Sequence, residues 1–283
     1  MAVPAVAQST PRIVAVNHPL QYFAERLAGS EAEVEFPVPA NVDPSFWRPS
    51  ISDISRIQSA DLILLNGAGF ATWVDRVSLP RSKVVNTSAA LRDQFIVTES
   101  ITHSHGDGGE HSHEGLASYL WLDPTLAIAQ AEAVAAALSQ RGLAPSATLD
   151  AELDALRSDL TALDAAAQAA FAGLDGTAFI ATHPRYQYLA RRYDLTISSL
   201  EWEAGAAPTD SEFEALAALA ASSGATVLIW EAMPPQSALD RVSTLGLRSV
   251  VLPSLAQPSG EQTFLEAFGA GIDALAALTA STN

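Results

Sequence analysis

The chain has 283 residues, 48% of them hydrophobic, and a formal net charge of −17. That describes a globular chain with ample core, and it excludes a nucleic-acid backbone or an anionic membrane surface as a favoured partner. No cysteine is present, so disulfides, thiolate metal sites and cysteine nucleophiles are excluded, and any transition metal must be held by nitrogen and oxygen.

The start, Met1-Ala2-Val3-Pro4-Ala5-Val6-Ala7-Gln8-Ser9, has small residues that fit an Ala-x-Ala cleavage site, so residues 1–9 are expected to be the remainder of an export signal and the location periplasmic. No run of about 18 apolar residues occurs, so no membrane span is expected. Strands are predicted at Ile13-Val14-Ala15-Val16, Ala32 to Pro37, Leu62-Ile63-Leu64-Leu65 and Lys83-Val84-Val85-Asn86. Helical patterns lie between them at Leu20 to Ala28, Ser52 to Ser59 and Phe70 to Val77. Short β-branched runs alternating with helices are the signature of βα units around a parallel sheet.

Residues 103–113 then hold four of the six histidines: His103, His105, His111 and His113. Imidazole is the commonest side-chain ligand for zinc, copper and nickel, and the intervening glycines and serines let several rings converge on one ion. The bland alternative is a solvated polar loop. Downstream, a stretch from Ser146 to Leu174 has no glycine or proline until Gly173. Its apolar stripe of Leu149, Leu153, Leu156, Leu160, Leu163 and Ala167 predicts one long linker helix, about 40 Å at 1.5 Å per residue.

The second half repeats the theme. Strands are predicted at Ala178 to Ala181, Thr196 to Leu200, Val227 to Trp230 and Ser249 to Leu252, with helices at Tyr186 to Tyr193, Asp210 to Ser222, Pro235 to Leu245 and Gly260 to Leu278. The expected fold is α/β: two lobes, each a parallel sheet flanked by helices, joined by one long rigid linker helix. The expected division is an N-terminal lobe over 10–145, the linker over 146–174 and a C-terminal lobe over 175–283.

Three segments together resemble the cluster A-I substrate-binding proteins of ABC transporters, the periplasmic receptors for zinc and manganese. Asp43-Pro44-Ser45-Phe46-Trp47-Arg48-Pro49-Ser50, followed by Ala60-Asp61-Leu62, is similar to the family's Asp-Pro-His-x-Tyr-Glu-Pro-Ser segment and its Ala-Asp-Leu. Tyr119-Leu120-Trp121-Leu122-Asp123-Pro124 is similar to His-x-Trp-Leu-Asp-Pro, and Thr182-His183 through Tyr193 to Ser-His-x-x-x-x-Tyr-x-x-x-x-Tyr. The resemblance covers nearly the whole chain, and the family's histidine-rich loop also precedes its Trp-Leu-Asp-Pro element. It implies a metal receptor, not an enzyme, acting as a monomer that feeds an ABC permease from an interlobe cleft. The ligand set departs from the pattern: the family's first histidine falls on Ser45, its second on Tyr119 and its aspartate near Pro253 or Ser254, and only His183 remains.

Substitute ligands are therefore sought. His18 follows the first strand directly, where loops at strand carboxyl ends line a ligand crevice, and stands either as a ligand or as a satisfied loop histidine. Glu231 ends a strand and can supply an oxygen. Glu201 and Glu203 flank Trp202 after another strand, and Glu203 resembles a glutamate of the family that orients a metal-bound histidine. The candidate metal set is thus His183, His18, His103, His105, His111, His113, Glu231 and Glu203, with Zn2+ preferred over Mn2+ because imidazole dominates.

Two further binding readings stay open: a metal chelate or small organic ligand held among Phe46, Trp47, Tyr119, Trp121, Tyr186 and Trp202 with Arg48 and Arg185 nearby, or a metal buffer working through residues 103–113 alone. A metal-dependent hydrolase using His18, His183 and Glu231 is the enzyme alternative. No Gly-x-Ser-x-Gly, phosphate loop or His-Glu-x-x-His supports it.

Overall fold

Four short runs near the start, three rich in apolar residues and one the alternating Glu33-Val34-Glu35, become four parallel strands because each is too short for a helix and has turn-forming residues close after it. They are β1 (Arg12–Ala15), β2 (Glu33–Glu35), β3 (Leu62–Leu65) and β4 (Val84–Asn86), in the order β2-β1-β3-β4. The computed structural model describes residues 10–40, 42–98, 115–174, 176–202 and 206–280. Predicted strand ends at Ala32, Pro37 and Lys83 are trimmed, since pairing covers only the central residues.

By contact the described chain sorts into two units that interleave along the sequence: residues 1–90 with Ile128–Arg157, and Leu91–Ala127 with the residues from Ser158 onward. The boundaries expected from the sequence, at 145 and 174, are contiguous and differ from this.

In the first unit, α1 (His18–Ala28) starts where Asn17 caps it, its side chain accepting from the Leu20 amide at 3.1 Å, with proline in the first turn and Gly29 at φ +54 ending it. The second helix, α2 (Ile51–Ser59), opens on a Ser50/Asp53 capping box. The helix expected over 70–77 is only a 3₁₀ segment, Thr72–Arg76, because the stretch is confined between Gly69 at φ +71 and Pro80. Ile13, Leu62, Ile63 and Leu64 from the sheet and Leu20 and Phe23 from α1 have no accessible surface.

Two short strands, β5 (Val97–Thr98) and β6 (Gly115–Leu116), pair antiparallel in the second unit, and residues 99–114 join them. Neither is among the predicted elements. Nor is α3 (Pro124–Arg141), an alanine-rich helix whose pattern carries few charges to mark an outer face. The predicted linker helix is present as α4 (Ser146–Phe171), with Leu149, Leu156, Leu160 and Ala167 of the stripe buried.

The second unit's main sheet consists of β7 (Ala178–Ala181), β8 (Thr196–Ser199), β9 (Val227–Trp230) and β10 (Arg248–Val251), all parallel in the order β10-β9-β7-β8. Taken from the β8 edge, this is the order of the first sheet. Helices α5 (Gln187–Tyr193), α6 (Asp210–Ser223), α7 (Gln236–Thr244) and α8 (Phe264–Ala280) complete it. A Thr209/Glu212 capping box begins α6 and Gly224, at φ +70, ends it. Ile180, Leu216, Leu228 and Val242 pack with Trp202, Phe213 and Trp230 in one buried cluster. Among the described residues no helix is long and apolar enough to cross a membrane.

Candidate functional site

In an open parallel sheet, ligands bind outside the strand carboxyl ends where strand order reverses, because the loops there diverge. In the second unit that point lies between β7 and β9. Ala181 is paired with Ile229, so counting two residues onward brings His183 level with Glu231. The Thr182 amide continues the ladder by donating to the Ile229 carbonyl at 2.9 Å, and the Glu231 amide donates to Thr182 Oγ1 at 3.3 Å. The two loops are thereby tied together.

His183 Nδ1 lies 3.5 Å from Glu231 Oε2, and Arg185 Nε lies 3.6 Å from the same oxygen. Those side chains are 19%, 11% and 7% exposed for His183, Glu231 and Arg185. Both separations exceed a good hydrogen bond, so Arg185 and Glu231 make a charge contact and the His183 ring lies beside the same oxygen. The Arg185 amide donates to the His183 carbonyl at 2.9 Å, a tight turn that folds the arginine back beside the histidine. Its guanidinium carbon then sits 4.6 Å from the centre of the Tyr119 ring, a cation–π contact. Tyr186 is buried, and its hydroxyl donates to the Leu252 carbonyl. Burial first and the Glu231 charge second push its phenol well above the ordinary range, so it remains a neutral donor.

A neutral imidazole can offer a nitrogen and a carboxylate an oxygen to a divalent cation, and His183 and Glu231 are the two such groups that this step brings together. A carboxylate facing Nδ1 also favours the tautomer that leaves the Nε2 lone pair for a metal. Glu231 faces His183 in this way, and Glu203, the residue expected to orient a metal-bound histidine, lies outside the described residues.

The positions where the resemblance has other ligands are structural here. Ser45 is buried, with its amide and hydroxyl both donating to Asp43 Oδ1, at 2.8 and 2.6 Å. Tyr119 is 2% exposed and its ring carries the Arg185 guanidinium. The Ser254 carbonyl accepts from the Trp121 indole at 2.8 Å, while Asp123 Oδ1 accepts from the Thr125 amide and hydroxyl at 2.9 and 2.6 Å and so starts α3. The Trp-Leu-Asp-Pro element is therefore a docking and capping device.

His18 lies in the first unit as the first residue of α1, buried, with Gln21 beside its ring. Burial lowers its pKa against an opposing contact from Gln21, which keeps the ring neutral. Arg48 and Glu201 are exposed. His103, His105, His111, His113 and Glu203 lie outside the described residues. Among the described residues no group of three His, Asp or Glu stands together that could hold a metal. The role of Arg185 as partner of Glu231 escapes the linear reading, since only the β7–β9 pairing brings residues 185 and 231 together.

Comparison with known proteins places the chain in a family. The model of the family described as zinc-uptake complex component A, periplasmic (ZnuA) matches residues 13–278. The zinc-binding protein AdcA of Streptococcus pyogenes is 24% identical over 207 residues, covering 69% of this chain and 40% of that protein. The chain thus spans about two fifths of the length of the curated relatives it first matches. The Zn(II)-bound ZnuA-like domain of Streptococcus pneumoniae AdcA superposes with a TM-score of 0.78 at 20% identity, covering 95% of this chain and 98% of that one. FpvC of Pseudomonas aeruginosa in complex with Mn2+ gives a TM-score of 0.79 at 20% identity, covering 97% and 100%. At such identities the two superpositions show a shared fold.

Proposed function

Because the chain belongs to the periplasmic zinc-uptake component A family, we propose that it is an exported metal-ion receptor, preferring zinc, that passes its cargo as a monomer to an ABC permease. It is a binding protein and not an enzyme. The observation that carries the reading is the placing of His183 and Glu231 level with each other at the carboxyl ends of β7 and β9, with His183 Nδ1 3.5 Å from the carboxylate. Zinc suits an imidazole-led donor set in a chain without thiols, and manganese, which favours oxygen donors, ranks second.

Zinc usually takes three or four protein ligands. His183 and Glu231 supply two, and we assign the rest to His103, His105, His111 and His113, with Glu203 as a further oxygen donor. His18 is a separate candidate in the first unit. Capture of an anionic chelate is less favoured, because Arg185 already faces a carboxylate and Arg48 is exposed.

Equilibrium zinc titration of the intact protein, of a form lacking residues 103–113 and of His183→Ala tests this. Both variants should bind more weakly than the parent. Loss of binding on deletion with no effect of His183→Ala would leave only a buffer acting through the histidine-rich segment, and unchanged binding in both would remove the proposed site.

A further inference from the structure

The second unit's site already holds a cation. Arg185 is almost fully buried, 3.6 Å through its Nε from Glu231 Oε2, the oxygen that also faces His183 Nδ1 at 3.5 Å. Its guanidinium lies on the face of Tyr119, the residue standing where the resemblance has an imidazole. The one departure from the family pattern at this point, an aromatic ring in place of a nitrogen donor, therefore serves as a shelf for a positive side chain. With a neutral imidazole, the three polar groups sum to zero charge. A divalent cation entering beside them must either tolerate the guanidinium or displace it from the carboxylate.

Both courses weaken metal binding. Two cations within a few ångströms in a partly buried setting repel strongly, and removing an arginine from a buried carboxylate forfeits an interaction that is costly to break. Arg185 cannot avoid this by losing its proton, since a guanidinium stays charged in proteins. The penalty also differs between ions. One that binds imidazole well keeps the His183 contribution whatever Glu231 does, whereas one that depends on oxygen donors needs the carboxylate that Arg185 holds.

We propose that Arg185 is a specificity-determining residue, a tethered competitor that holds Glu231 against incoming divalent cations and so favours imidazole-seeking ions over oxygen-seeking ones. The inference rests on the metal-receptor reading above. It predicts that removal of this positive charge strengthens binding, whereas an arginine that anchors an anionic ligand would weaken binding when removed.

The test is titration of the full chain with Zn2+ and with Mn2+ in five forms: parent, His183→Ala, Arg185→Gln, Glu231→Gln and the Arg185→Gln/Glu231→Gln double variant. Arg185→Gln should raise zinc affinity about tenfold and manganese affinity by more. In the Glu231→Gln background the same substitution should have an effect within about twofold, since the contested carboxylate is gone. Unchanged or weaker binding by Arg185→Gln overturns the proposal. An equal gain with and without Glu231 also overturns it, because repulsion at a distance then suffices. Parent binding that does not respond to His183→Ala overturns the metal reading of this site, and this inference with it. Should Arg185→Gln fail to fold, the Arg185 Nε–H resonance of the parent decides. It should shift as zinc saturates the protein, and an unmoved resonance contradicts displacement.

Discussion

The two sheets share one strand order, and the same step in each carries different chemistry. In the first, Ala15 pairs with Leu64, which brings Asn17 level with Asn66 two residues on. In the second, Ala181 pairs with Ile229 and His183 comes level with Glu231. Asn17 Nδ2 donates to Asn66 Oδ1 at 3.2 Å, and Gln130 Nε2 donates to the same oxygen and to Thr87 Oγ1, each at 3.0 Å. These neutral amides use donors on acceptors within the protein and lock the strand ends together. Gly67 follows Asn66 at φ +79, and a Cβ there would fall 2.1 Å from Ser88 Oγ, so the turn admits no larger residue. The second unit instead places an imidazole, a carboxylate and a guanidinium at this step, with contacts too long to be strong hydrogen bonds. Topology alone does not decide whether a switch point is a site; the residues two positions beyond the strands do.

Two substitutions probe that contrast directly, and a third, away from both steps, gives a stability change to set beside them. The largest effect is expected from His183→Ala, which should cost about a hundredfold in zinc affinity, or ~3 kcal/mol, in an equilibrium titration while leaving the urea midpoint nearly unchanged. Next comes Asp164 on the buried face of α4, which accepts from Nε and Nη2 of Arg192 and from the Tyr193 hydroxyl, the last at 3.0 Å. Burial works against its charge, but the Arg192 and Tyr193 hydrogen bonds outweigh it and hold the carboxyl below its ordinary 3.8. A carboxyl with a depressed folded value contributes stability that is complete above 3.8 and is lost as pH falls through the lower folded value. Asp164→Asn should therefore lower stability at neutral pH by about 2 kcal/mol and flatten the acid limb of the stability profile, measured by urea unfolding against pH. The smallest effect belongs to Asn66→Ala, which strips the acceptor from Asn17 and Gln130. It should lower stability by about 1–2 kcal/mol without changing zinc affinity, and a marked loss of affinity would show that the amide pair is more than a structural lock.

Much of this is legible in the sequence because strong local signals agree with the fold. Val227-Leu228-Ile229-Trp230 is apolar throughout and is buried throughout, and Thr209 with Glu212 marks the start of α6. The helix α3 escapes a linear reading because alanines such as Ala127, Ala131, Ala135 and Ala137 fill its buried face, and alanine signals burial weakly. Asp164 is hidden for the opposite reason. A carboxylate inside an apolar stripe reads as an outer position until its partners on α5 are known. In the site, the strand-end positions of His183 and Glu231 can be read off the chain. Their alignment cannot, because it depends on β9 being the neighbour of β7, and the engagement of Arg185 with Glu231 depends on it too.

The most direct test of the account is anomalous diffraction at the zinc edge from crystals of the full chain grown with one equivalent of zinc. A peak about 2.0–2.1 Å from His183 Nε2, with the Glu231 carboxylate on Nδ1 or on the metal, is the predicted result. A peak surrounded only by histidines of residues 103–113, with His183 still facing Glu231 and no metal, would contradict it.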